Sequence, residues 1–232
     1  MITVSVIVPV FKRAQLLEEC LVSFAASTRK PSEIIVVDDG NSPSDAARIS
    51  EVCVKYSAKL VVLTKNSGAP AARNAGAKIA SGDALFFADA DISMRPDGLE
   101  SLCQALESHE GASFAYGDFM FGKILMQARE FSVEALKKTN YISSMSLVRR
   151  VIFRPFDERL TRFQDWDLWL SLALRGASGV YVPQIIFTAM PGGSMSVWIP
   201  AIVIKYARLC MWVPRVRRYM TARAVILKKH SL

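Results

Sequence analysis

The amino-acid sequence predicts an α/β fold with a mostly parallel central sheet flanked by helices. Two observations carry this prediction. Short runs of almost continuous apolar residues, many of them β-branched, recur along the first half of the chain. Such runs are typical of strands buried on both faces of a parallel sheet. Between them lie segments with apolar residues at helical spacing, so strands and helices alternate as they do in βαβ units.

The elements of the first half follow one another in a regular order. Four apolar runs are predicted as strands, at residues 3–10, 33–38, 60–63 and 84–88. The intervening segments are predicted as helices, at residues 13–26, 45–56 and 71–80. In the first helix the apolar positions are Leu16, Leu17, Cys20, Leu21 and Phe24, which fall on one helical face.

The second half continues the same chain of elements with a weaker pattern. A helix over 97–109 begins at Pro96-Asp97-Gly98, and residues 113–131 alternate weakly as strands do. A helix over 164–175 ends at Gly176, and a strand follows at 180–187. Because no linker interrupts this series, we predict one domain over 1–196, followed by a C-terminal tail over 197–232.

The tail differs from the domain in charge. Residues 197–232 contain no acidic residue and combine Trp198, Trp212 and many aliphatic residues with lysines and arginines. Such a basic amphipathic segment is typical of a helix that lies on an anionic membrane surface. The alternative is an arm that packs on the domain or on another copy. The formal net charge of +8 also favours polyanionic partners, but we find no recognition motif for nucleic acid.

Other features exclude several classes of protein. The cysteines Cys20, Cys53, Cys103 and Cys210 form no CxxC pair, so buried reduced thiols are expected instead of a zinc site. The apolar N-terminus lacks the basic region and cleavage site of a signal peptide, and therefore indicates a strand. The longest apolar runs fall short of the ~18 residues that a membrane span needs. These features predict a cytoplasmic protein.

Carboxylates follow two of the predicted strands. Asp38-Asp39-Gly40 ends the second strand, and the run FADADI places Asp89 and Asp91 directly after the fourth. Ligands of open parallel sheets bind beyond the carboxyl ends of the strands. Oxygen ligands there suit Mg²⁺ or Mn²⁺, which bridges carboxylates to substrate phosphates. The alternative is a turn that merely favours aspartate.

A further loop precedes the third predicted helix. Residues 66–76, NSGAPAARNAG, contain small residues and Arg73, which could reach a phosphate from the first turns of the helix. Gly68 can adopt a loop conformation that other residues avoid. The sequence has neither GxxxxGK[ST] nor a GxGxxG after the first strand, which argues against a P-loop ATPase and a dinucleotide-binding fold.

Taken together, these motifs resemble the family 2 glycosyltransferases, whose GT-A fold has a Rossmann-like sheet. The motifs are VSVIVPVF, IIVVDDGN, NSGAPAARNAG and FADADI, followed by FDERLTRFQDWDLW at 156–169. The resemblance covers roughly residues 3–196. It implies an inverting, metal-dependent transferase of the hexosyltransferase type that takes its sugar from a nucleotide-diphosphate donor, with uridine favoured, for polysaccharide biosynthesis.

The resemblance also implies roles for individual residues. The nucleotide would contact the main chain at Pro9, Val10 and Phe11, the carboxylate of Asp39, and Arg73, Asn74 and Asp89. Asp91 would be the main ligand of Mn²⁺ or Mg²⁺, with Asp89 on the ribose or metal side as the other half of a DXD motif. Asp165 would be the general base, and Trp166 and Asp167 would shape the acceptor pocket.

The sequence departs from the family in three places. Gln164 stands where the family often has glutamate, and residues 190–196, MPGGSMS, lack the histidine that often completes the metal site. The QxxRW-like signature of processive polymer synthases is absent. We therefore expect transfer of one sugar to a glycan or lipid-linked acceptor at the inner face of the membrane. The alternatives are a polyprenyl-phosphate glycosyltransferase and a non-catalytic module that binds anionic lipid.

Overall fold

The computed structural model describes residues 1–191 and 212–232, which form a mixed sheet covered by helices. The strands are β1 (Val4–Val10), β2 (Glu33–Asp38), β3 (Lys59–Val62), β4 (Ala84–Phe87), β5 (Ile92–Met94), β6 (Phe114–Phe121), β7 (Ile124–Met126), β8 (Leu147–Arg149) and β9 (Gly179–Ala189). The helices are α1 (Ala14–Ala25), α2 (Pro43–Lys55), α3 (Ala69–Ile79), α4 (Gly98–Ser108), α5 (Val133–Lys138), α6 (Gln164–Ala173) and α7 (Pro214–Lys229).

The sheet has a parallel half and a mixed half. Its order is β3-β2-β1-β4-β8-β6-β9-β5, with β7 paired to β6. The strands β3, β2, β1 and β4 run parallel to one another. Strand β8 joins the halves, because it pairs antiparallel with residues 84–86 of β4 and also with β6. The α/β class and the parallel first half predicted from the sequence are therefore confirmed.

Helices cover both faces of the sheet. Along β1, Val6 and Val8 belong to the apolar cluster that contains α1 and α4, whereas Ile7 belongs to the cluster that contains α3 and α6. All three side chains are fully buried. Burial on both faces explains why β1 is almost continuously apolar and lacks the alternating pattern of a half-exposed strand.

Gly76 lets helix α3 pack close against the sheet. A Cβ atom at this position would lie 2.5 Å from Cγ2 of Ile7 and 3.2 Å from Cγ2 of Val37. The missing side chain therefore lets the helix axis approach β1 and β2. Arg73, one turn earlier on the same helix, is thereby held at the carboxyl ends of the strands.

The C-terminal helix α7 packs on the domain. Ile226 is fully buried in the cluster of α3 and α6, and the ring of Tyr219 lies 5.1 Å from that of Phe163. Lys229 Nζ is 2.8 Å from Asp157 Oδ2 and 2.9 Å from Asp167 Oδ2. The described part of the tail thus has the contacts of a packing arm. Residues 197–211, which include Cys210, lie outside the described residues. Membrane binding stays a prediction.

Replacing Ile226 with alanine should lower the free energy of unfolding by about 2 kcal/mol, because the change leaves a cavity in the core. The neighbouring Val225 is 48% exposed, so Val225→Ala should cost less than about 0.5 kcal/mol. Urea unfolding followed by circular dichroism would compare the two variants. Equal effects would show that α7 does not pack on the domain in solution.

The three cysteines in the described part of the chain are buried, as the sequence predicts. Cys20, Cys53 and Cys103 are free and buried, and burial raises the pKa of the Cys53 thiol to about 11. No helix within residues 1–191 and 212–232 combines the length and the hydropathy that crossing a bilayer requires.

Candidate active site

One cleft of about 820 Å³ opens at the carboxyl ends of β1, β2 and β4. Its charged end is lined by residues from these strand ends and from α1 and α3, among them Arg13, Asp39, Arg73, Asp89 and Asp91. Its other end is formed by the β6–β7 hairpin, the loop 158–163, the start of α6 and Tyr219 of α7. The cleft therefore brings the strand-end carboxylates of the first half to the acidic helix start of the second.

Asp39 holds the loop that precedes α3. Its Oδ1 accepts a hydrogen bond from Ser67 N at 2.7 Å, and its Oδ2 accepts from Gly68 N and Asn66 Nδ2, both at 2.9 Å. A carboxylate has about four acceptor positions, so one remains for a ligand in the cleft. This arrangement is compatible with the predicted contact between Asp39 and a nucleotide base. Asp39 also holds the 66–68 loop in place, a role that the sequence does not reveal.

The turn after β2 requires glycine at position 40. Gly40 has φ +70, and a Cβ there would lie 2.4 Å from the backbone nitrogen of Asn66. The backbone of the Asp38-Asp39-Gly40 turn therefore lies directly against the 65–68 loop. This close approach explains how Asp39 reaches three donors of that loop at once.

Asp39→Asn should lower the free energy of unfolding by about 1–3 kcal/mol, since the amide nitrogen cannot accept and would face a loop donor. Asp97→Asn is the matched control, because Asp97 is exposed and makes no side-chain cap contact at α4. Urea denaturation would measure both variants, and titration with UDP would measure the base contact. Unchanged stability in Asp39→Asn would contradict the loop-holding role.

Each carboxylate of the Asp89–Asp91 pair faces an arginine. Arg13 Nη1 lies 2.5 Å from Asp91 Oδ2, and Arg73 Nη2 lies 2.6 Å from Asp89 Oδ1. The side chain of Asp91 is 13% exposed and that of Asp89 is 32% exposed. Burial and the charge of Asp89 raise the pKa of Asp91, while the Arg13 guanidinium opposes that rise.

The pair fits a hard divalent cation that takes most of its ligands from substrate and water. The described residues contain no group of three or more histidine, cysteine or acidic side chains that could hold a metal on their own. Mg²⁺ and Mn²⁺ accept such a site, because one or two carboxylates, substrate phosphates and water molecules complete their coordination. Residues 192–196 of the MPGGSMS segment lie outside the described part of the chain.

Arg73 connects the charged end of the cleft to the start of α6. It is 6% exposed, and its Nη1 donates to Gln164 Oε1 at 3.2 Å while Nη2 binds Asp89. Its Nε is buried without a hydrogen-bond partner. Asn74, by contrast, binds Glu158 and both backbone groups of Phe156, and it does not line the cleft.

Asp165 lies in the cleft at the first turn of α6. Its Oδ1 accepts a hydrogen bond from the backbone N–H of Trp166 at 2.8 Å. Burial is the largest influence on this carboxyl and raises its pKa, although the Trp166 N–H, Asn140 and Arg73 act in the opposite direction. A carboxylate with a raised pKa is a better proton acceptor at neutral pH than an ordinary aspartate.

The two residues after Asp165 point away from the cleft. Trp166 is 1% exposed, and its indole N–H donates to Leu136 O at 2.7 Å. Asp167 is 4% exposed and binds Lys229 and His230 of the C-terminal segment, with 2.8 Å between His230 Nε2 and Asp167 Oδ1. Neither residue lines the cleft. Both make contacts that stabilise the fold, and their predicted contact with the acceptor stays a prediction.

Sequence reasoning did not single out Arg13 and Tyr219, which both line the cleft. Arg13 follows β1 closely, and a basic residue after a strand-end loop is too common a pattern to indicate a site. Tyr219 belongs to the tail, where the amphipathic pattern favoured a membrane surface instead of the wall of a cleft. Pro9, Val10 and Phe11, which were predicted from the resemblance, line the cleft.

Comparison with known families gives one clear match. Residues 5–156 match the family model described as Glycosyl transferase family 2. One curated relative is the uncharacterized glycosyltransferase YwdF of Bacillus subtilis, which is 28% identical over 184 residues, covering 73% of this chain and 68% of the relative. The chain spans only about a third of the length of the curated relatives from Rickettsia species.

Solved structures show the same fold. S. aureus TarS 1–349 in complex with UDP-GlcNAc has a TM-score of 0.73 at 20% identity, over 89% of this chain and 65% of that chain. The mannosyltransferase PcManGT from Pyrobaculum calidifontis, in complex with GDP-Man and Mn²⁺, has a TM-score of 0.68 at 18% identity, over 89% and 61% of the two chains. The GT-A fold predicted from the sequence is thus confirmed.

Proposed function

The chain belongs to glycosyl transferase family 2, and on that premise we propose that it is an inverting glycosyltransferase. It moves one sugar from a nucleotide-diphosphate donor, preferably a UDP-sugar, to a hydroxyl of a glycan or lipid-linked acceptor in cell-surface polysaccharide synthesis. The observation that carries the proposal is the cleft itself. It places the Asp89–Asp91 pair and the carboxylate of Asp165 around one space of about 820 Å³.

The charged end of the cleft suits the nucleotide and the diphosphate. The proposed contacts of the base are the backbone of Pro9–Phe11 and the carboxylate of Asp39, all of which line the cleft. Arg73, with its unpartnered Nε, supplies positive charge close to Asp89. PcManGT is described with GDP-Man and Mn²⁺, and a metal-bound donor is the proposal for this chain too.

Asp91, with Asp89 beside it, would hold Mn²⁺ or Mg²⁺. The cation would neutralise the charge of the diphosphate leaving group. The protein's own contribution is to keep Asp91 largely buried and to hold both carboxylates just after β4. Two protein ligands leave coordination positions for the diphosphate oxygens and water.

At the other end, Asp165 would take the proton of the acceptor hydroxyl as that oxygen attacks the anomeric carbon. The C–O bond to the diphosphate breaks as the new glycosidic bond forms, so a single displacement inverts the configuration. The raised pKa of Asp165 matches this role. The hydrogen bond from the Trp166 N–H to Oδ1 would help to orient the carboxylate.

Two alternative functions make different predictions. A polyprenyl-phosphate acceptor attacks through a phosphate, which needs no general base, so Asp165 would then be dispensable. A non-catalytic module that binds anionic lipid would draw its support from the net charge of +8 and the basic tail. The proposed location is the cytoplasm, peripherally on the inner face of the membrane, where the basic C-terminal tail would bind an anionic surface.

A thermal-shift panel tests the donor proposal. UDP, GDP and dTDP would be added with and without Mn²⁺, since a ligand that binds only the folded state raises its melting temperature. We expect the largest rise with UDP and Mn²⁺ together, accompanied by slow metal-dependent hydrolysis of a UDP-sugar. The binding of the protein to anionic liposomes would be measured in parallel. If no nucleotide raised the melting temperature but the protein bound the liposomes, the non-catalytic module would be favoured.

A further inference from the structure

The contact between Arg13 and Asp91 places a positive charge where a metal ion would bind. Arg13 stands at the N-terminus of α1, yet its side chain makes no capping hydrogen bond to that helix. Its Nη1 instead lies 2.5 Å from Asp91 Oδ2, and both residues line the cleft. The guanidinium is therefore in contact with the carboxylate that would bind the metal.

Charge balance explains why a guanidinium would be placed there. Arg13, Arg73, Asp89 and Asp91 together carry no net charge, and the Asp91 carboxylate is largely shielded from water. An unpaired carboxylate in such a place is costly. A divalent cation added alone would bring two positive charges next to two guanidinium groups, whose repulsion is strong in a partly buried cleft.

From these contacts we propose that the Arg13 guanidinium is the counter-ion of the Asp91 carboxylate in the absence of the metal. It pairs with Asp91 while the cleft holds no donor, and it competes there with the cation. When donor and cation enter together, their charges largely cancel, and the anionic diphosphate offers Arg13 a new partner. The inference rests on the proposed function. It adds a residue that makes metal binding depend on the presence of the donor.

The competition predicts a measurable coupling. Removing the Arg13 charge should tighten Mn²⁺ binding to the donor-free protein by about tenfold or more, because a neighbouring positive charge is lost from a site of reduced dielectric. It should also shrink the factor by which UDP tightens Mn²⁺ binding, because UDP then loses a partner. By linkage, Mn²⁺ must tighten UDP binding by the same reduced factor.

The test is a titration of the full chain with Mn²⁺, followed by electron paramagnetic resonance of free Mn²⁺, with and without UDP. Arg13→Gln is the test variant, and Arg13→Lys keeps the charge. Lys12→Gln is the matched control, because it removes one positive charge from an exposed neighbour that does not line the cleft. Circular dichroism checks that each variant is folded.

The expected result is tighter donor-free Mn²⁺ binding and a smaller UDP effect in Arg13→Gln, with Arg13→Lys and Lys12→Gln close to the parent. Equal or weaker donor-free Mn²⁺ binding in Arg13→Gln would overturn the inference while leaving the metal site in place. A parent protein that binds no Mn²⁺ even with saturating UDP would overturn the inference and the metal-dependent function together.

Discussion

Replacing Asp165 with asparagine should lower sugar transfer to a hydroxyl acceptor by roughly 10²–10⁴-fold, the usual worth of a positioned general base. Asparagine keeps the size of the side chain and can still accept the hydrogen bond from the Trp166 N–H. It cannot take the acceptor proton. Initial rates with a UDP-sugar and a hydroxyl acceptor would measure the loss, and UDP should still bind with Mn²⁺ because Asp39, Asp89 and Asp91 are unchanged.

The pH dependence of the parent enzyme gives a second measurement. Since burial raises the pKa of Asp165, the base is protonated at a higher pH than an ordinary aspartate. The value of kcat/KM should therefore fall as the pH falls through this raised pKa, and the part of the acid limb that Asp165 causes should be lost in Asp165→Asn, while the part from Asp91 stays. Near-normal turnover of the variant would instead indicate a phosphate acceptor, which needs no base.

Asp167→Asn is the matched control on the same helix turn. Its carboxylate lies outside the cleft and binds Lys229 and His230. The variant should lose stability, since a buried partner of two basic groups is neutralised, but turnover per folded molecule should fall far less than in Asp165→Asn. A larger catalytic loss at Asp167 would mean that Asp165 is not the base.

The second large effect is expected at Asp91. Asp91→Asn should reduce cation-dependent donor turnover by roughly 10³-fold, because the main carboxylate ligand of the cation is lost and stabilisation of the leaving diphosphate is worth several kcal/mol. Donor hydrolysis at a series of Mn²⁺ concentrations would measure the effect. The strand end should stay folded, because the isosteric amide can still accept from Arg13.

Asp45→Asn is a suitable control for the Asp91 experiment, since Asp45 lies in the first turn of α2 and outside the cleft. It removes the same charge without touching the site. If Asp91→Asn kept full Mn²⁺-dependent turnover, Asp91 would not be the metal ligand. If both variants lost turnover equally, the loss would come from net charge and not from coordination.

The sequence predicted the parallel half of the fold well because burial on both faces leaves a strong local pattern. The strands predicted at 3–10, 33–38, 60–63 and 84–88 agree with β1 to β4 to within about a residue at each end. Gly68 also takes the predicted loop conformation, with φ +90. Local chemistry determines these features.

The mixed half was predicted less well because its strands are short and depend on distant partners. The three-residue strands β5 and β8 pair with β9 and β4, far away in sequence, and no local pattern indicates them. Helix α5 has six residues and was missed for the same reason. The arginine partners of Asp89 and Asp91 come from α3 and the start of α1, and such long-range ion pairs leave no periodic signal.

The tail shows how one pattern can serve two environments. Apolar and basic residues at helical spacing can bind an anionic membrane surface. They can equally pack on a domain that presents an apolar surface beside acidic groups. Here Ile226 enters the core and Lys229 meets Asp157 and Asp167. Composition cannot distinguish the two cases, because the acidic partners lie some sixty or more residues earlier in the chain.

The joint between β4 and β8 has a consequence for how such a protein can diversify. The residues predicted to bind the nucleotide stand on the parallel half, whereas the β6–β7 hairpin and the 158–163 loop belong to the other half of the cleft. In the sheet these halves meet through three residue pairs, Ala84–Arg149, Leu85–Val148 and Phe86–Leu147. If the proposed function holds, descendants that preserve these three pairs can keep one donor site while mutation and recombination change the opposite wall, and with it the acceptor.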